Sequence, residues 1–421
     1  MKYTEAILGT SEFTLRLPNI IAFVLYLTFV FLLLKKESIV LIIPLFILIT
    51  FNPFLMDFFG LARGYGLSIC LMIISIYYLI RSFSSDSNNT KSLIIFNFTA
   101  LLASLANFTL INFYFASFIT YNLIWAINYH LDDNLRRYTN TFIRLNRINL
   151  ISIFLSCIIL FEPIRRLAKY NTLNYGGDTI LDTLKSQIYN TFYNVPVTGT
   201  MRDFLTYFIL LSLFFNFFIT AKKLISKNKS FFSIFQGLTI INLITIIVLL
   251  ETIVQHYLFN YDYLKDRFAL FIYPLVTLNI AYSIIYIYKL KSRISLVIVC
   301  YSGAILLTIN LSNNLNFYSY KDWKFDANSK KMLIELEKYT RDTNITQPIS
   351  LGVDWIFEPT INFYRKTKRL DWIKPVSREK SNSENDFVYI LANNANEVEE
   401  KIVYSEDLIG SPKKTILYLN K

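Results

Sequence analysis

Apolar residues gather in long runs separated by short polar breaks over the first three quarters of the chain. The runs cover 18–34, 39–56, 63–81, 92–106, 108–128, 147–161, 203–219, 231–250, 268–288 and 294–311. A helix needs roughly 17–25 apolar residues to cross a bilayer, and the shorter runs must borrow from their flanks. The stretch 92–128 divides at Ala106-Asn107-Phe108 into two helices. The pattern therefore predicts an α-helical polytopic membrane protein of about ten transmembrane helices over 1–311, with its longer loops at 162–202 and 251–267.

After residue 311 the periodicity changes. Residues 327–342 read as an amphipathic helix with Met332, Leu333, Leu336 and Tyr339 on one face. Strands are expected at 349–353, 387–391 and 415–419, with a helix at 358–368. Helices alternating with strands predict a small α/β domain over 312–421. It holds Trp323, Trp355 and Trp372, which read first as core residues and, where exposed, as surfaces for sugar stacking.

Composition narrows the class. Of 421 residues, 54% are hydrophobic and only 17% charged, with 37 Phe and 29 Tyr; an average soluble domain carries about 25% charged residues. These figures exclude disorder, collagen-like repeats, coiled coil and a small disulfide scaffold. The net charge of +12 could point to nucleic acid, but its distribution removes that reading. Short cytoplasmic loops collect Lys and Arg. Alternate loops here hold Lys35, Lys36, Arg81, Lys91, Arg136, Arg137, Arg144, Arg147, Lys222, Lys223, Lys227, Lys229, Lys289, Lys291 and Arg293. Only Glu37, Asp86, Asp132 and Asp133 oppose them, so almost the whole excess is an orientation signal. It places the N-terminus, both longer loops and the C-terminal domain outside the cytoplasm. An external N-terminus directly at Met1 raises the expectation of a missing upstream helix.

Cys70, Cys157 and Cys300 fall inside apolar runs and predict small buried hydrophobes. His130 and His256 are far apart and make no metal motif, and no phosphate-binding loop or nucleophile elbow occurs. Chemistry is therefore expected where polar groups meet the external membrane face. One cluster is 9–18, with Glu12 and Arg16. A second is 52–66, where Asp57 and Arg63 either pair with each other or leave Arg63 to bind a phosphate through its planar fork of donors. The third, 251–267, contains Glu251, His256, Asp262, Lys265, Asp266 and Arg267. Its cations either anchor a helix end or hold a lipid phosphate.

The runs Ser11-Glu12-Phe13-Thr14-Leu15-Arg16-Leu17-Pro18, Ala62-Arg63-Gly64-Tyr65 and Asp266-Arg267-Phe268-Ala269-Leu270-Phe271 up to Pro274 resemble motifs of bacterial GT-C glycosyltransferases. Those integral membrane enzymes are similar to protein O-mannosyltransferases and aminoarabinose transferases. Tyr175-Gly176-Gly177-Asp178 resembles the family's Gly-rich external turn, and the likeness spans about residues 8–311. It implies transfer of a hexose or pentose from a polyprenyl-phosphate-sugar donor to a glycan, lipid or protein acceptor at the external face of the inner membrane. It leaves a divalent metal open, and it implies no nucleic-acid partner. In such enzymes an Asp after the first helix is the general base. The match begins beyond that point, so the resemblance implies a chain without that helix and loop. Asp57 is then the candidate catalytic carboxylate, which would deprotonate the acceptor, and Arg63, Tyr65, His256, Lys265 and Arg267 are the candidate lipid-phosphate partners. The alternative is an inactive or shortened relative, a non-enzymatic partner in envelope polysaccharide assembly. A transporter is disfavoured because the spans are almost free of charge.

Overall fold

The computed structural model describes residues 5, 7–83, 89–130, 135–169, 176–192, 194–195, 197–225, 236–291, 294–316, 318–379, 381, 384–393, 398, 400–408 and 411–420. Of the expected features, Tyr175, Asp86, Asp132, Asp133, Lys227, Lys229 and Arg293 lie outside the described residues. The chain divides into a helical unit, Phe13–Asn314, and a sheet unit formed by Leu315–Lys421 together with Glu5–Glu12.

The described helices of the helical unit are α1 (Glu12–Leu34), α2 (Ile39–Thr50), α3 (Pro53–Gly60), α4 (Gly64–Ser82), α5 (Asn89–Ala106), α6 (Ile111–His130), α7 (Leu135–Lys169), α8 (Ile180–Thr191), α9 (Gly199–Ile225), α10 (Gln236–Phe259), α11 (Ile272–Leu290) and α12 (Ile294–Asn314). Among the described residues six helices are long and apolar enough to cross a membrane: α1, α4, parts of α7 and α9, α10 and α12. The count rises to seven if the pair α2 and α3, bent by 64°, is one broken span. These helices are compatible with a multi-pass membrane protein. α12 stays apolar on faces that the described residues leave uncovered: only 17% of its window is buried. A helix hydrophobic all round is at home in lipid.

The structure adds helical detail to one apolar run and to both longer loops. The run 39–56 is not one straight helix. Asn52 interrupts it by capping α3, its side chain accepting from Leu55 N–H at 2.9 Å with Pro53 in the first turn. The stretch 162–202 is not a plain loop: α7 continues to Lys169, and α8 forms within it. The stretch 251–267 is helical as far as Phe259, because no Gly or Pro intervenes until Asn260 ends α10 with a left-handed φ of 56°. His256 therefore stands on the last turn of a helix. Of the cysteines, Cys70 is buried as expected, whereas Cys157 is exposed on α7.

Small polar residues fasten the helices to one another where close packing excludes water. Asn216 on α9 bonds Asn279 and, at 2.6 Å, Ser283 of α11; Asn242 of α10 donates to Thr220 at 3.1 Å. Tyr26 hydroxyl donates to Ile49 O at 2.8 Å, and Tyr273 hydroxyl to Leu48 O at 2.8 Å, so both grip the end of α2.

The sheet unit carries α13 (Ser329–Asp342), α14 (Glu358–Thr367) and four strands: β1 (Leu351–Val353), β2 (Phe387–Ala392), β3 (Ile402–Asp407) and β4 (Lys414–Leu419). The order is β1-β2-β4-β3, with β1 and β2 parallel and the other pairs antiparallel. Met332, Leu336, Phe357, Ile361, Phe387 and Leu417 centre its core. β3, which the sequence pattern did not suggest, forms the edge; its Ile402-Val403-Tyr404-Ser405-Glu406-Asp407 run is only half apolar because one face stays wet. Within this unit Glu12 accepts from Lys330 and from Tyr364 hydroxyl, both at 3.0 Å.

Candidate functional site

α8 organises the third polar cluster. It starts with a reciprocal cap: Thr179 hydroxyl accepts from Asp182 N–H, and Asp182 carboxylate accepts from Thr179 N–H at 2.9 Å. Burial works to raise the Asp182 carboxyl, but the Thr179 hydroxyl and N–H, with the charges of Lys265 and Lys185, hold it below its ordinary value. Just before this cap, Gly177 pairs antiparallel with Tyr263, their N–H groups donating across at 2.8 and 3.0 Å. The approach is too close for any side chain: a Cβ on Gly176 would lie 2.1 Å from Tyr263 O, and one on Gly177 would lie 2.7 Å from Asp182 Cβ.

One turn further, three α8 side chains converge on Asp266. Ser186 hydroxyl accepts from its N–H at 3.1 Å, Gln187 amide donates to its carbonyl at 2.9 Å, and Asn190 amide donates to its carboxylate at 3.2 Å. Asp266 holds a left-handed φ of 51° within a short 310 turn, Asp266–Ala269, and these bonds oppose the cost of that conformation. Lys265 and Arg267 flank it, both half-buried, with the Arg267 guanidinium 5.2 Å from the Phe268 ring centroid. His256 joins the same loop. Its Nδ1 lies 2.7 Å from Tyr261 O, and its ring stacks on Tyr263 at 4.4 Å. A carbonyl only accepts, so Nδ1 carries a proton toward it, and Nε2 is the ring nitrogen left for other partners.

The second cluster is built separately. Asn19 on α1 donates to the carbonyls of Leu61 and Arg63, pinning the turn between α3 and α4. A Cβ on Gly64 would meet Ala106 O at 1.9 Å, so this turn presses on the end of α5. Arg63 is exposed at the start of α4, and Tyr65 packs its ring 4.8 Å from that of Phe58. Asp57 is half-buried on α3 rather than in a tight turn. α3 is tied to α8 by Asn52, which donates to Thr191 hydroxyl at 2.8 Å. Lys265 and Arg267 thus lie in one loop held by α8, with His256 bonded and stacked onto that loop from the last turn of α10, while Asp57, Arg63 and Tyr65 share the α3–α4 corner, also joined to α8.

Beside α8 lies an apolar cavity of about 230 Å³. Leu184, Gln187, Ile188 and Thr191 line one wall, spaced as a single helical stripe, and Tyr273 and Val276 of α11 line another. Gln187 belongs both to this wall and to the bonds that hold Asp266. The cavity is lined almost entirely by apolar side chains, and the loop bearing Lys265 and Arg267 is attached through the same helix. Among the described residues no three His, Cys, Asp or Glu side chains converge as a metal site would need.

Sequence reasoning passed over Ser186, Gln187 and Asn190, because neutral side chains that position a backbone carry no motif. The spacing of Thr179 and Asp182 was the available signal for α8. The chain matches no known protein family and no curated protein.

Proposed function

We propose that this protein is a GT-C type membrane glycosyltransferase that moves a sugar from a polyprenyl-phosphate donor to an envelope acceptor. In this reading the chain crosses the bacterial inner membrane about ten times and carries its α8 rim and sheet unit outside the cytoplasm. The observation that carries the reading is the junction at Gln187: one helix lines a cavity fit for an isoprenoid and also fixes the Lys265–Arg267 loop fit for its phosphate. The three sequence motifs add weight, since two of them form the α3–α4 corner and this loop.

The chemistry follows from charge. An acceptor hydroxyl attacks the anomeric carbon, the C–O bond to phosphate breaks, and the electron pair leaves with the lipid phosphate. Arg63, Lys265 and Arg267 stabilise that dianion as it forms, Tyr65 donating a hydrogen bond. Asp57 takes the acceptor proton, and His256, with a proton on Nε2 as well as on Nδ1, donates from the end of α10 to the lipid phosphate.

The test is turnover in proteoliposomes with a polyprenyl-phosphate-sugar, read as released polyprenyl phosphate. Arg63→Ala and Arg267→Ala are each expected to slow release by about 100-fold, the scale of one lost charge-stabilising donor. Unchanged turnover in both variants would sink the phosphate assignment. Binding of the donor lipid with no turnover under any acceptor would favour a non-enzymatic partner.

A further inference from the structure

The sheet unit contains a second cavity, of about 200 Å³, remote in sequence from every motif of the transferase reading. Its walls arise from two similar helix endings. α13 finishes with Asn344 at φ 55°, Ile345 N–H reaching back to Thr340 O at 2.9 Å; α14 finishes with Arg369 at φ 52°, Leu370 N–H reaching back to Arg365 O at 2.9 Å. Each is the six-to-one bond of a left-handed helix terminus, which turns the chain sharply aside. The two departing segments then run side by side, Ile349 N–H donating to Trp372 O at 2.8 Å and Lys374 N–H to Ile349 O at 2.9 Å. The hollow between them is lined by Glu337, Arg341, Thr346, Gln347 and Trp372 among others.

Its chemistry is specific. Arg341 is paired with Glu337, so the only cation and the only anion lining the hollow offset each other and a charged ligand gains little. The Thr346 hydroxyl, the Gln347 amide and the Trp372 indole N–H make no hydrogen bond within the protein among the described residues. They supply donors and acceptors beside the partly buried Trp372 indole, which packs against the core of the unit. The volume lies below the range of roughly 300–1,000 Å³ typical of drug-sized ligands. A small, neutral ligand with one apolar face and a rim of hydroxyls is a sugar ring.

We infer that this hollow is a saccharide-binding site, taking one neutral hexose or N-acetylhexosamine unit with its apolar face on Trp372 and its hydroxyls on Thr346 and Gln347. The inference rests on this hollow alone and holds whether or not the helical unit transfers sugar.

The experiment titrates the full chain in nanodiscs with glucose, galactose, mannose and N-acetylglucosamine, singly and as β-linked disaccharides, reading saturation-transfer NMR signals of the sugar. At least one is expected to bind saturably with a Kd in the millimolar range, about what a few neutral hydrogen bonds and one stacking face support. Gln347→Ala, at an exposed position that leaves the fold intact, is expected to weaken it about fivefold, one lost neutral hydrogen bond. Trp372→Phe is expected to weaken it as well, and Trp355→Ala, at an indole 66% exposed elsewhere in the unit, to leave it unchanged. Absence of saturable binding by every sugar, or equal binding in wild type and Gln347→Ala, overturns the inference. Because no turnover is read, either result leaves the transferase reading to its own test.

Discussion

Gly176 and Asp182 show how much of the α8 loop depends on single atoms. A methyl group at Gly176 would sit 2.1 Å from the Tyr263 carbonyl, so Gly176→Ala must part the strand-like pairing of Gly177 with Tyr263. Overpacking of this kind costs about 1–3 kcal/mol. The variant should melt several degrees below wild type in detergent; an unchanged melting temperature would show that the pairing is not held closed. Asp182 makes a pH-dependent contribution with a defined sign. Its folded pKa is lowered, so its stabilisation is present above the unfolded value of about 3.9 and lost as pH falls through the folded one. Amide exchange over 177–191 should accelerate, relative to its chemical rate, as wild type is taken from pH 5 to pH 3, and Asp182→Asn should remove that change.

At the level of elements, α8 does two jobs because it has two stripes. Leu184, Gln187, Ile188 and Thr191 face the cavity, while Ser186 and Asn190, one position aside, face Asp266. The stripes meet at Gln187. Cavity and loop should therefore be separable by mutation. Ile209→Trp on α9 projects into the half-open cavity and should weaken polyprenyl-phosphate binding by about tenfold or more without touching a polar group. Equal lipid affinity in wild type and Ile209→Trp, measured in detergent micelles by equilibrium partition, would separate the cavity from the lipid. α3 illustrates the opposite case, an element set off by a local cap: Asn52 and Pro53 start it directly after α2, a helix that already carries Pro44 in its interior.

On the scale of the whole molecule, the two units are stabilised by different physics. The helical unit relies on apolar length and on Asn, Ser and Tyr contacts between helices, whereas the sheet unit has an ordinary aqueous-type core with titratable groups at its edge. Burial raises the Asp326 carboxyl, against the opposing bonds from Ser329 hydroxyl at 2.6 Å and Thr360 hydroxyl. A carboxyl whose folded pKa is raised binds its proton more tightly in the folded state. The sheet unit should lose stability as pH climbs from the ordinary carboxylate value through the raised one. Asp326→Asn should flatten that decline, as read by amide exchange of 329–342 and 387–392 in the full chain; a wild-type slope in the variant would assign the decline to other groups.

The apolar runs were legible along the chain because twenty or so consecutive hydrophobic residues have few fates besides a membrane helix or a fully buried one. The amphipathic spacing of 327–342 and the β-branched stretches at 387–391 and 415–419 were legible for the same local reason. The cations of the candidate site could also be picked out, since a charge beside an apolar run is conspicuous. Three things were not written locally. The bond that ties the Asn52 cap to α8 is made to Thr191, 139 positions away, which accepts from the cap's amide. The left-handed Asp266 persists because Ser186, Gln187 and Asn190 surround it from a different helix. The two cavities exist because helices and helix endings far apart in sequence leave a gap between them. Hydrophobic burial is proportional to composition and can be summed along a chain, but a hydrogen bond or a void belongs to a pair of surfaces and has no existence until they meet.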